Sequence, residues 1–172
     1  MPFVIQKHHS PKPQKAFLFL MRELGYSIKE AQRLIAKGRL FINGEAITNP
    51  SVSVEGDFEF VDFEPHSRGL NPIFITEGFA LYDKPSGVLV HPQNRHTPYS
   101  LNDEIKLAFG RDANVAHRID QETSGLVLVG TNKESERLLK IMFENRHVTK
   151  RYLAFVQGHL ENTMLIDEPL YR

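Results

Sequence analysis

The chain has 172 residues, enough for one ordinary domain or for one small and one medium domain, and its 41% apolar and 24% charged residues are those of a soluble globular protein. It contains no cysteine, which excludes disulfides and thiolate metal sites and points to a reducing compartment. The formal net charge is zero, no apolar run approaches the roughly 18 residues of a membrane span, and the N-terminus lacks the apolar core of a signal peptide; a cytoplasmic protein without membrane contact is expected.

Net neutrality hides a division. Residues 12–49 carry seven Lys or Arg and three Glu, a net of +4, whereas residues 51–64 carry five acids and no base, a net of −5. Local potential steers a polyanion, so a basic module followed by an acidic strip is compatible with a nucleic-acid partner.

Residues 1–13 hold prolines and two adjacent histidines without a period and read as a flexible arm. Residues 14–24 predict a short helix, stopped by Gly25 in a left-handed conformation. Ser27 and Glu30 form a capping box for a second helix, whose apolar face is Ile28, Ala31, Leu34 and Ile35. Lys29, Arg33 and Lys37 recur every four residues and stack on one exposed side, which taken alone is an ordinary solvated helix face. Gly38 ends that helix. Asn43-Gly44 between two short apolar runs is a hairpin signal, and Val52, Val54, Phe58, Phe60 and Val61 supply strand material around a Gly56-Asp57 turn. Residues 65–73 (two prolines, a glycine and polar residues) read as a linker and hinge.

The second half predicts a strand over 79–83, a turn at Lys84-Pro85-Ser86-Gly87 and a strand over 88–90 stopped by His91-Pro92. A helix follows over 100–109, with Leu101, Ile105 and Leu107 or Ala108 inward. A central strand spans 125–131. Thr131 and Glu134 form another capping box, opening a helix through Asn145 with Leu138, Leu139, Ile141 or Met142, and Phe143 facing the core. A last strand covers 149–156. Strands outnumber segregated helices, giving an α+β class with a largely antiparallel sheet.

One stretch carries chemistry: His117-Arg118-Ile119-Asp120-Gln121-Glu122-Thr123-Ser124-Gly125. An acid stands just before a Ser-Gly step and a strand, with Arg118 two positions upstream. That layout holds a carboxylate at the mouth of a sheet beside a cation, where it can act covalently; a plain turn acid is the alternative. Lys150 and Tyr152 share one strand face by period two, and a half-buried strand tyrosine is the plain alternative there. His91, His96, His117 and His147 fit no zinc spacing, so no metal is expected.

Two resemblances follow from these residues. Residues 14–64, with two helices, a basic stripe, an Asn-Gly turn and a Gly-Asp step in that order, resemble the S4 RNA-binding domain. That implies a grip on phosphates and RNA shape through Lys29, Arg33 and Lys37. Residues 74–172 resemble the RluA-type RNA pseudouridine synthases in Tyr82-Asp83-Lys84-Pro85-Ser86-Gly87-Val88-Leu89-Val90-His91-Pro92, in residues 117–129 (with Ile119 in place of the usual Leu), in Lys150-Arg151-Tyr152-Leu153-Ala154-Phe155-Val156-Gln157-Gly158, and in Ile166-Asp167-Glu168-Pro169-Leu170.

The second resemblance implies isomerisation of uridine to pseudouridine without metal or cofactor. Asp120 would attack C1′ or take a proton from C2′, and Tyr152 would pack on the target base. Arg118 would fill the gap left by the flipped nucleotide. His117, Lys84 and Lys150 would lie against the RNA, with Lys84 and Pro85 also forming a rigid turn in the pocket wall. Ribosomal RNA is implied ahead of transfer RNA, and a monomer is expected. Domains of this type continue into a later Thr-Gly-Arg-x-His-Gln-Ile-Arg segment, so residues 74–172 are expected to be the N-terminal portion of the catalytic domain. Two other functions compete: a truncated, non-catalytic S4-type RNA-binding protein, and a glycoside hydrolase using Asp120, for which no second carboxylate lies across a sugar.

Overall fold

The computed structural model describes residues 2–159, 161–166 and 168. Two four-stranded antiparallel sheets, each with its own core, organise the chain, in agreement with the expected α+β class.

The first sheet has the order β1-β4-β2-β3, from β1 (Phe3–Lys15), β2 (Leu40–Ile42), β3 (Glu45–Ile47) and β4 (Ser53–Phe63). The predicted arm at residues 1–13 is therefore corrected: it is most of a 13-residue strand running antiparallel along β4, from Phe3 opposite Phe63 to Lys15 opposite Ser53. The pattern hides it because its inward residues include His8 and Ser10, while Ile5 points outward at 59% exposure. The ladder breaks between Ser10 and Gln14, around Pro11 and Pro13, which have no N–H to give. Ser10 Oγ donates to the Lys12 carbonyl (2.8 Å) and receives Gln14 Nε2 (2.8 Å), so the bulge is closed by side chains. Gly56-Asp57 is likewise no turn. β4 runs through it, and Gly56 takes φ +72° opposite Ser10.

Helices α1 (Ala16–Leu24) and α2 (Ile28–Ala36) cover this sheet. Gln14 and Lys15 belong to β1, so α1 starts later than the pattern predicts. Gly25 ends it at φ +69°, as expected, and the Ser27 hydroxyl accepts the Glu30 N–H (3.3 Å) at the start of α2. Ala31, Leu34 and Ile35 are buried with Phe19, Leu20, Leu40, Phe58 and Phe60, whereas Ile28 stays 45% exposed. Asn43 and Gly44 have positive φ (52° and 81°) in a two-residue turn joining β2 to β3, the geometry an Asn-Gly pair favours.

The second sheet has the order β5-β6-β8-β7, from β5 (Phe74–Ile75), β6 (Phe79–Lys84), β7 (Asn114–Val115) and β8 (Gly125–Gly130). Helix α3 (Leu101–Phe109) buries Leu101 and Ile105 against Ala80, Tyr82, Val127 and Val129; Leu107 is exposed. No strand forms at 88–90. The Leu89 and Val90 carbonyls instead accept the Leu101 and Asn102 amides (2.8 and 3.1 Å), so this segment satisfies the N-terminus of α3.

Helix α4 (Lys133–Glu144) starts one residue later than the predicted box. Asn132 caps it through the Ser135 amide (2.9 Å), and the Thr131 hydroxyl donates to the Glu77 carbonyl (2.7 Å). Its backbone approaches β8 so closely that a Cβ on Gly130 would lie 2.3 Å from the Glu136 nitrogen. Leu138, Ile141 and Met142, expected in the core, are 37–49% exposed, because nothing among the described residues covers that face. The predicted strand over 149–156 is also absent. A strand exists through its ladder, and these residues have no partner strand among the described ones.

Residues 65–73 contain no helix or strand, yet they are pinned. The buried Glu104 carboxylate accepts the Arg68 and Leu70 amides (2.6 and 3.3 Å) and the Ser67 and Tyr99 hydroxyls (2.7 Å each). Burial opposes its charge, but the bonds from Arg68, Ser67, Tyr99 and Leu70 outweigh it and hold the carboxyl below its ordinary value.

Candidate active site and nucleic-acid interface

Asp120 lies in the loop between β7 and β8, and its side chain is exposed. Ile119 packs on the core of the second sheet. The residues on either side of it, Arg118 and Asp120, are both exposed.

The loop is held from below. The Lys84 side chain is fully buried, and its Nζ donates to the carbonyls of Val88 (2.7 Å), Pro85 (3.0 Å) and Gln121 (3.1 Å). Gln121 C=O also accepts the Gly87 amide (2.8 Å), Gln121 Nε2 donates to Gly87 C=O (3.2 Å), and Ser86 Oγ donates to Glu122 C=O (2.6 Å). The Lys84-to-Gly87 turn is thus stapled to the residues that follow Asp120. Lys84 cannot lie against RNA, which corrects one expectation, while its reading as part of a rigid turn agrees with the structure. Burial lowers the Lys84 pKa, and the carboxylates of Glu122 and Asp120 oppose that shift.

His117 is also built into the fold. Its Nε2 accepts the Leu128 amide of β8 (3.2 Å), and its ring lies 4.6 Å from that of Phe143 on α4. That bond removes it from the side chains free to meet a phosphate. Burial lowers its pKa; the Arg118 backbone opposes this, and the Lys150 charge adds to it. Burial also lowers the His91 pKa, reinforced by Lys106, Arg118 and Lys140. Arg118, Lys140 and Lys150 thus act on these two rings from around residues 117–120, although Lys140 is paired with Glu136.

Tyr152 is 62% exposed in a segment without strand pairing, so the structure does not assemble it into a site with Asp120. Of Ile166-Asp167-Glu168-Pro169-Leu170, residues 167, 169 and 170 lie outside the described residues.

In the first unit Lys29, Arg33 and Lys37 are exposed along α2, as predicted. Arg33 and Lys37, with Arg39, line a cleft of about 930 Å³ whose other wall includes His91, Lys106 and Arg111. Arg111 bridges the two units. Its Nη1 donates to the Leu24 carbonyl (2.7 Å), Nη2 lies 3.5 Å from Asp62 Oδ2, and the guanidinium stacks 4.2 Å over the Tyr26 ring. Asp62 is 4% exposed and also accepts the Tyr26 hydroxyl and the Phe63 amide. Sequence reasoning missed Arg111, Asp62 and Glu104, most of whose partners lie 34 to 87 positions away and leave no local signal.

A small α/β module with an exposed basic helix is joined to a sheet that presents a pinned aspartate loop, and the comparisons supply the class to which this arrangement belongs. Residues 17–57 match the S4 domain, and residues 78–172 match the family described as RNA pseudouridylate synthase; the chain belongs to that family. It is 39% identical over 170 residues to the "Uncharacterized RNA pseudouridine synthase" of Helicobacter pylori, an alignment covering 99% of this chain and 57% of that protein. It is 38% identical over 90 residues to "tRNA pseudouridine synthase C" of Pasteurella multocida, covering 51% of this chain and 37% of that one. Among solved structures it is similar to "Human RNA Pseudouridylate Synthase Domain Containing 1", at 27% identity and a TM-score of 0.46, over 58% of this chain and 38% of that one. The chain thus spans a little over half the length of the Helicobacter relative.

Proposed function

We propose that the chain contributes the RNA grip and the catalytic aspartate of an RNA pseudouridine synthase, with Asp120 as the reacting group. The observation that carries this reading is an exposed carboxylate on a loop whose backbone is fixed by Lys84, Ser86 and Gly87. Such fixation places a reacting group in advance of substrate binding.

In the covalent route an Asp120 oxygen bonds to C1′ as the N1–C1′ pair leaves with the base. The base turns, C5 bonds to C1′, the carboxylate is released, the C5 proton passes to solvent, and N1 takes up a proton from solvent. Proton abstraction at C2′ is the other route open to the same carboxylate. Neither needs an oxidant or a net water. Arg118 stands beside the acid, where it could occupy the space of an extruded nucleotide and offset part of the few kcal/mol that extrusion costs. The stripe at Lys29, Arg33 and Lys37 would hold flanking phosphates. Ribosomal RNA is the substrate we favour from the S4 module; the tRNA-directed names of several relatives make transfer RNA the direct competitor.

The test is tritium release from RNA containing 5-tritiated uridine, with ribosomal and transfer RNA offered in parallel. Release by the wild type that is lost in Asp120→Ala supports the reading. Release that persists in Asp120→Ala sinks it. One observation favours the binding-only reading, namely that Tyr152 stands unassembled at 62% exposure. RNA retained on a filter with no release would select that reading.

A further inference from the structure

The register of β7 on β8 places Asn114 opposite Gly130 and Val115 opposite Val129. The next pair is Ala116 and Leu128, and the Ala116 amide does donate to the Leu128 carbonyl (2.8 Å). In an antiparallel pair of this kind the two residues exchange both bonds, so the Leu128 amide should return to the Ala116 carbonyl. It goes instead to the ring of His117, at Nε2 (3.2 Å). A side chain has replaced the backbone acceptor where the strand ends.

We propose that His117 is a positioning residue: its ring completes the last rung of the β7–β8 ladder and so sets where the chain leaves the sheet for Asp120. The inference deepens the proposed function and rests on it. The loop carrying Asp120 then has two fixed ends, the imidazole at its start and the Lys84 turn at Gln121 and Glu122.

The arrangement dictates a tautomer. An Nε2 that accepts an N–H must be unprotonated, so the neutral ring carries its proton on Nδ1. Nδ1 is buried and meets no partner at full hydrogen-bond geometry; the Arg118 backbone stands near enough only to oppose weakly the drop in the ring's pKa. The ring faces Phe143 from α4, β8 supplies no titratable residue, and the charge that acts on the ring is that of Lys150, from the segment after α4. A second proton would break the rung to Leu128. Burial, the chief influence on the ring, favours the neutral form and lowers its pKa. Loss of the rung belongs to acid below the ordinary 6.5.

The experiment uses the 172-residue chain with His117→Gln and His117→Phe. Nitrogen-15 NMR of the imidazole should show Nε2 unprotonated and Nδ1 protonated near neutrality. The Leu128 amide shift should titrate together with the ring, and the Asp120 amide should follow. His117→Gln, whose Oε1 can reach the same amide without titrating, should keep the Leu128 bond and remove its acid transition. His117→Phe should expose the Leu128 amide to exchange. In the tritium assay it should lower kcat on the order of 100-fold with little change in KM, the size expected for a reacting group misplaced by about 1 Å. A neutral ring protonated at Nε2, a Leu128 amide that ignores the ring's titration, or an unchanged kcat in His117→Phe would each overturn the proposal. A folded chain with no activity in any form would sink the proposed function, while the NMR measurements would still decide the role of His117 in the fold.

Discussion

Lys84, Glu104 and Asp62 show how a charged residue is accommodated inside so small a protein. None of the three is left without partners. Lys84 meets three backbone carbonyls, Glu104 four donors, and Asp62 a hydroxyl, an amide and a guanidinium. Replacing Lys84 by Met keeps the bulk and removes the donor, leaving the Val88 and Pro85 carbonyls unsatisfied. Chemical denaturation should show a loss of about 2 kcal/mol, within the range for buried acceptors stripped of a partner. Glu104 gives a pH prediction. Its carboxyl is held below the ordinary value of 4.5, so the unfolded chain binds the proton more readily. Its contribution is therefore complete above 4.5 and lost as pH falls through the lowered folded value. In Glu104→Gln, stability measured against pH should be flatter below 4.5 than in the wild type; identical slopes would count against this carboxylate as a stabilising charge.

At the scale of elements, periodicity located the helices better than the strands. The buried face of α2 follows apolar spacing and its N-terminus stands where the capping signal lies, whereas α3 buries Leu101 through Ile105 in succession and leaves both Leu107 and Ala108, the expected inward positions, exposed. β1 escaped because a strand whose inward residues include His8 and Ser10 carries no apolar alternation; its register comes from β4. The run at 88–90 looks like a strand, yet its carbonyls serve the amides of α3. α4 depends on one close approach. A methyl at Gly130 would collide with the backbone of Glu136, at 2.3 Å from N and 2.4 Å from Cα, and backbone cannot yield as a flexible side chain can. Gly130→Ala should destabilise by about 1–3 kcal/mol, the usual cost of overpacking. A thermal midpoint equal to the wild type would show that α4 can lift from the sheet without cost.

For the molecule as a whole, Arg111 ties the second unit to the first, through Leu24, Tyr26 and Asp62. In Arg111→Ala the units should tumble more independently, seen as divergent alignment in residual dipolar couplings, with each unit's own amide pattern preserved. The basic helix belongs to this scale too, since its reach is set by how the units sit. Reversing Lys29, Arg33 and Lys37 to Glu should weaken RNA binding and flatten its dependence on salt, because each lost phosphate contact removes about 0.7 from the slope of log K against log salt for a single strand. Binding with an unaltered slope would move the RNA off α2.

By itself the sequence determined the α+β class, the order of modules, the two-residue hairpin turn, the solvent-facing stripe of α2 and the aspartate motif. These are written in neighbouring residues, as apolar period, turn chemistry and charge spacing. Tertiary structure alone decided that Lys84 is an internal clamp, that His117 closes a ladder, and that Asp62 and Glu104 are buried anchors. Each of those roles depends on which groups the fold brings within about 3 Å of the side chain, the distance at which a hydrogen bond forms, and the partners include groups dozens of positions away. A chain read one neighbourhood at a time does not contain that distance.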